Sequence, residues 1–258
     1  MIFRRTKKRS DEPELDDAAS DEPTDDVAAG NGSAADEPGA DVPGAADGET
    51  VLDAEALDAR DWRAEGPFDI AELDEDEDLS GTPQMPRIDL GAMVLAGFPG
   101  AELRLQMSEE TQQIVSAMLI LGDSALELGA YAAPRSGGLW SELREEIMAA
   151  AVEAGGSASL AEGPFGVELR RLVPVSTPEG EQGYQPSRMW VAEGPRWLLR
   201  GIVYGQAALE DGLQSPVAEM LTAFRSVVVR RGDEAMAPGD LLPLTMPQNL
   251  VPAEEQPA

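Results

Sequence analysis

The chain has 258 residues, 49 acids against 19 bases, a formal net charge of −30, and neither histidine nor cysteine. That composition excludes disulfides, thiolate nucleophiles, cysteine-ligated metals and any imidazole base or Ser-His-Asp triad. The only lysines are Lys7 and Lys8, so nothing beyond them can serve as a Walker lysine, a Schiff-base lysine or half of a Ser-Lys dyad.

The elements come in chain order. Residues 1–10 carry five bases and no acid, whereas residues 11–80 carry 26 acids against Arg60 and Arg63 alone. Residues 1–50 form a basic-then-acidic tail with few large apolar side chains, too few to offset the entropy of ordering it; disorder is expected. No apolar core succeeds the basic start, and no apolar stretch approaches the ~20 residues that span a bilayer. A cytoplasmic protein without a transmembrane segment is therefore expected. Residues 51–82 read as an acidic arm, with Trp62 and Phe68 as aromatic anchors that dock on the chain's own domain. Asp53–Asp61 has room for a helical turn or two. Asp74, Asp76 and Asp78 match positions 1, 3 and 5 of a calcium loop. Leu79 stands where the loop needs glycine and Met85 where it needs glutamate, so no metal is expected there.

Residues 83–233 have the texture of a folded domain. Ile88–Leu95 reads as one strand and Glu102–Met107 as a second. Ile114–Leu121 and Ala125–Ala132 form a hairpin around Gly122-Asp123-Ser124. Leu139, Trp140, Leu143, Ile147, Ala150 and Ala151 recur at helical spacing, and Gly155-Gly156 ends that helix. Strands are expected at Ser157–Ala161, Phe165–Val175, Tyr184–Glu193 and Arg196–Tyr204, the second and third joined by a turn at Thr177. A second helix starts with Ser215 as N-cap and Pro216 at the first helical position, then buries Val217, Met220, Leu221 and Phe224. Val227–Arg230 is the last strand, and residues 234–258 form a Pro-rich extended tail. This order predicts an α+β domain: one curved, mostly antiparallel sheet packed by two amphipathic helices.

Six segments carry a family resemblance. They are Gly66-Pro67-Phe68-Asp69, Asp89-Leu90-Gly91, Ala132 to Trp140, Glu162 to Gly166, Gly194-Pro195-Arg196-Trp197 and Val229 to Asp233. Together they make the stretch from about Gly66 to Pro247 similar to an actinobacterial family catalogued as a domain of unknown function. The element order also resembles the PsbP-like α/β/α sandwich, a non-enzymatic fold. Neither resemblance implies a catalytic residue or a cofactor.

Two sites stand out. The turn Arg135, Ser136, Gly137 and Gly138 enters the first helix, so its backbone N–H groups, the helix dipole and Arg135 suit an anion. The plainer alternative has Ser136 capping the helix while Trp140 fills the core. The second site is a sheet face. Tyr184, Arg188 and Trp190 share one strand face, Glu168 and Arg170 another, and Arg200 and Tyr204 a third. If these faces coincide, Arg170, Arg188, Trp190, Arg200 and Tyr204 line a shallow ligand or partner site with Glu168 as an internal ion partner. The carboxylates Glu142, Glu145 and Glu146 read as an exposed helix face. Residues 81–258 remain net acidic, which disfavours direct nucleic-acid binding. The sequence favours a non-enzymatic binding or scaffold module on an acidic tether, with a protein partner and no cofactor. The alternative is a nucleotide or anion sensor, or an Arg- and carboxylate-based enzyme, working through Arg135–Gly138.

Overall fold

The computed structural model describes residues 52–74, 79, 81–82, 86–176 and 180–247. The tail expected at 1–50, most of the acidic run Asp74–Asp78, the turn at Thr177 and the last residues of the C-terminal tail lie outside them.

The chain is α+β. Its main sheet has seven antiparallel strands: β4 (Glu102–Met107), β5 (Ile114–Leu121), β6 (Ser124–Ala132), β7 (Ser157–Gly163), β8 (Gly166–Ser176), β9 (Gln182–Gly194) and β10 (Trp197–Gly205), in the order β4-β5-β6-β10-β9-β8-β7. Two-residue links at β5–β6, β7–β8 and β9–β10 force antiparallel pairing there, because so short a link cannot carry a parallel crossover. At the β5–β6 hairpin Gly122 has φ 58, the left-handed conformation such a turn requires.

A second, four-stranded sheet holds β1 (Phe68–Asp69), β2 (Arg87–Asp89), β3 (Met93–Ala96) and β11 (Val228–Val229), in the order β1-β11-β3-β2. The strands therefore divide between two sheets where one was expected. The single strand expected over Ile88–Leu95 is in fact the β2–β3 hairpin. It turns where Gly91, at φ 79, donates its N–H to the Asp89 carboxylate at 2.8 Å. β1 runs parallel to β11 across most of the chain length, a pairing no local signal announces.

Four α-helices complete the fold among the described residues: α1 (Ala54–Asp58), α2 (Leu139–Glu153), α3 (Gln206–Leu209) and α4 (Val217–Arg225). Pro216, not Ser215, is the N-cap of α4, while the Ser215 hydroxyl bonds Glu219. No described helix is long and apolar enough to cross a membrane.

The main sheet has a core on each face. One packs Leu126, Leu128, Trp190, Trp197 and Leu199 against Phe224 of α4 and Met93 and Val229 of the small sheet. The other sets Leu139 and Trp140 of α2 against Leu169, Met189, Val191, Leu198 and Ile202. Gly201 lets Phe224 close on the sheet, since a Cβ there would lie 2.6 Å from its ring. Residues expected in a C-terminal tail join the first core. Leu242 and Leu244 are buried, and Leu242 donates its N–H to the Ala130 carbonyl, so an extended Pro-rich chain lies on the sheet as packed structure.

Candidate functional site

The turn before α2 is built by two consecutive left-handed glycines, Gly137 (φ 68) and Gly138 (φ 85), which only glycine adopts without strain. Two of the amides there are already occupied. Gly138 and Trp140 each donate an N–H to the Glu193 carboxylate, both at 2.8 Å. Glu193 stands at the end of β9, so the sheet itself supplies the negative charge that the positive end of α2 favours. Ser136 does not cap the helix: it is exposed, and its hydroxyl contacts only the Gly137 carbonyl, at 3.5 Å. Gly138 is the N-cap, with Glu193 doing the side chain's work from 55 residues away. Arg135 is exposed and makes no ion pair among the described residues.

The arm closes the other side of this turn. Trp62 donates its ring N–H to the Leu57 carbonyl at 2.7 Å and packs against the first core. A Cβ on Gly166 would lie 2.8 Å from its ring nitrogen. Phe68 enters β1 opposite Val228. Next to it, the buried Asp69 accepts the Trp197 indole N–H at 2.7 Å and forms a capping box with Glu72. Arg63 pairs with both oxygens of Glu72 and lies over the Trp197 ring. That pairing holds the Glu72 carboxyl below its ordinary range. Arg144 of α2 grips Asp58 through two 2.7 Å contacts. Between arm and turn lies a cleft of about 590 Å³, lined by Arg60, Trp62, Arg135, Trp140, Phe165 and Glu193 among others.

The sheet-face residues do not share one face. Strand register sets Glu168 opposite Trp190 by alternation from the Leu169–Met189 pair, and it sets Arg170 opposite Arg188. These four face the first core. Glu168 accepts from Arg188 Nε and Nη2 (both 2.9 Å), from Arg170 Nε (2.9 Å) and from the Trp190 indole (2.6 Å). Arg188 also donates to the Glu210 and Gly212 carbonyls, and Arg170 reaches Asp211. Arg188, Trp190 and Glu168 are each about 1% exposed, so this network is a structural staple.

Arg200 and Tyr204 lie on the opposite face, beside residues that strand spacing alone does not single out. Arg200 lies over the Tyr131 ring at 5.0 Å and 3.9 Å from Glu127. The Tyr204 hydroxyl donates to Glu127 at 3.1 Å. Burial and the Glu127 charge push Tyr204 up to about 12. Arg171 makes no ion pair among the described residues, its Nε is buried without a partner, and burial draws its guanidinium below its ordinary range. The two polar clusters are thus separated by the sheet. Among the described residues no group of three or more Asp or Glu is placed to hold a metal ion.

Glu193 carries a sequence signal of another appearance. Glu-Gly-Pro recurs at Glu65, Glu162 and Glu193, which looks like turn punctuation. In the structure Glu65 pairs with Arg225 at 2.6 Å and Glu193 caps α2, whereas Glu162 is exposed. Asp69 has the capping-box spacing Asp-x-x-Glu, but its bond to Trp197 is a contact of 128 residues' separation.

Among solved structures, the solution structure of cyanobacterial PsbP (CyanoP) from Synechocystis sp. PCC 6803 is similar at 12% identity and a TM-score of 0.35, over 58% of this chain and 94% of that one. No curated protein matches the chain in sequence. The model of the family described as "Protein of unknown function (DUF3710)" matches residues 66–253, which span the last part of the arm from Gly66, both sheets and both long helices, and the chain belongs to that family.

Proposed function

We propose that this domain is a non-enzymatic binding module whose cleft between the arm and the α2 turn receives an acidic or aromatic side chain of a protein partner. The observation that carries this is the cleft's pairing pattern. Two of its three acids are committed to distant partners, Glu193 to the α2 amides and Asp58 to Arg144, while the exposed Asp61 accepts the Arg63 N–H. Arg60 and Arg135 are exposed and make no ion pair among the described residues, and Arg60 lies 5.6 Å from the centre of the Trp62 ring. One cation beside an aromatic ring and a second exposed cation, over a cavity of ligand size, form a recognition surface.

Catalytic readings draw less support. The buried Glu168 is engaged by Arg170, Arg188 and Trp190, which leaves it no free lone pair to take a proton from a substrate. Two of the amides at the start of α2, those of Gly138 and Trp140, hold Glu193.

The test is co-purification from the source cell with full-length protein and with the Arg60→Ala/Arg135→Ala double variant. A partner retained by the native chain and lost from the variant supports the cleft; identical partners in both remove it. A parallel thermal screen of nucleotides tests the sensor reading, because a ligand at 100 times its Kd stabilises by about 2.7 kcal/mol.

A further inference from the structure

The cluster on the other face of the main sheet differs in character from the cleft and is independent of it. Arg171 on β8, Ser187 on β9, Arg200 and Tyr204 on β10, and Glu127 and Tyr131 on β6 occupy one face of four neighbouring strands. Arg171 stands opposite Ser187, Arg200 opposite Gly129, and Glu127 opposite Ile202. Hence Glu127 lies between Arg200 and Tyr204 along the sheet. α2 packs on β7 and β8 at the far side of this face, and Arg200 keeps 27% of its side chain open to solvent.

The donors here exceed the acceptors. Two guanidinium groups face one carboxylate. That carboxylate already accepts from Tyr204 and lies 3.9 Å from Arg200, beyond hydrogen-bond range. Arg171 Nε, Arg200 Nε and the hydroxyl of Ser187, itself 3% exposed, are buried and without a hydrogen-bond partner. Arg200 is level with Val191 on β9, four residues along from Ser187, so the unmet donors share a face in two rows. Unmet buried donors are costly, and a native fold seldom retains three on one sheet face without a ligand or bound water to meet them. A half-buried arginine facing a second arginine is costlier still, since each disfavours the other's charge.

We propose that Arg171 and Arg200 form a binding site for an oxyanion of phosphate type, with the buried hydroxyl of Ser187 beside Arg171. An oxyanion supplies the missing negative charge and accepts from several donors at once, the geometry arginine forks favour. Phosphate suits the site better than a carboxylate because of Glu127. A monoprotonated phosphate can donate its remaining O–H to that carboxylate, whereas a carboxylate ligand would meet it as a like charge.

The test is thermal unfolding of the full chain in inorganic phosphate, against sodium chloride at matched ionic strength and against succinate. The native protein should gain midpoint in phosphate beyond the chloride control, and gain less in succinate. In Arg171→Leu and in Arg200→Gln the phosphate concentration for half the effect should rise tenfold or more. Arg104→Gln, which removes an exposed pair with Glu102, should respond like the native chain. Without phosphate, Arg171→Leu should melt at or above the native midpoint, because an unpaired charge has left the sheet. A flat native response overturns the proposal, as does a native-like phosphate response in Arg171→Leu. An equal response to succinate overturns the phosphate assignment. If Arg171→Leu melts well below the native chain, Arg171 is a structural residue and the site fails. Calorimetric titration of Arg200→Gln with phosphate gives an independent reading: wild-type affinity there also sinks it.

Discussion

Arg170 and Arg171 are neighbours on one strand and face opposite sides of the same sheet, and their surroundings differ in kind. Arg170 joins a network in which Glu168 accepts from three side chains and Arg188 reaches two further carbonyls. Arg171 makes no ion pair among the described residues, faces another arginine, and has a buried Nε that bonds nothing. Residue type does not separate the two clusters, because both mix arginine, glutamate and an aromatic ring. Satisfaction separates them. Where every donor has an acceptor the charges lock the 210–212 loop onto the sheet; where donors are left over, the face is prepared to take something from solution.

The sharpest way to break this comparison is to unpair the satisfied side. Glu168→Gln removes the carboxylate that holds Arg188 and leaves that guanidinium buried with an uncompensated charge. Breaking a buried pair from one side costs about 3–5 kcal/mol. Urea unfolding should show a loss of that size, and Arg188→Met in the Glu168→Leu background should recover much of it, because the charge then leaves together with its partner. A loss under ~1 kcal/mol would mean that the two faces do not differ in the way their hydrogen bonds indicate.

Smaller effects separate the supports of the cleft. Asp69→Ala deletes the acceptor of the Trp197 indole and the cap of the turn at Ile70, and should cost about 1–3 kcal/mol. Glu193→Ala frees the amides of Gly138 and Trp140 at the start of α2 and should cost about 1–2 kcal/mol, the range of a lost cap. Ser136→Ala should stay within about 0.5 kcal/mol, as exposed sites without a partner do. If Ser136→Ala proves the costlier of these last two, the helix is capped locally and Glu193 is only a neighbour.

Local signals were legible in the sequence. The stripe Leu139, Trp140, Leu143, Ile147 and the glycines at 155 and 156 mark α2 almost to the residue, and Gly122-Asp123 marks the β5–β6 turn. Asp89-Leu90-Gly91 carried its own turn signal, but the apolar run around it hid a hairpin as a single strand. Nonlocal features were not legible. Nothing near Phe68 announces Val228, and nothing near Gly138 announces Glu193. The alternation of Arg200 and Tyr204 along β10 was readable, yet which face of β8 and β9 joins them depends on register. A shift of one residue exchanges Arg170 for Arg171, and register is set by turns and packing that no single strand encodes.

The gentlest probe of the open face is alkaline titration, and here the sign matters. Tyr204 titrates near 12 in the fold, against an ordinary value near 10, because burial and the Glu127 charge disfavour the phenolate. The folded chain therefore holds this proton after the unfolded chain has released it. The contribution is fully present below pH ~10 and is lost between about 10 and 12 as the folded group ionises. Tyr204→Phe should lose at most about 1 kcal/mol at neutral pH, for the bond to Glu127, and should flatten the decline in stability from pH ~10 to ~12. Tyr131, raised in the same direction by its burial, should supply part of whatever slope remains. The Glu168 network contains no tyrosine, so Glu168→Gln should lower stability across the range without altering that slope. If Tyr204→Phe leaves the alkaline slope intact, its hydroxyl is solvated and the open face is less enclosed than its geometry indicates.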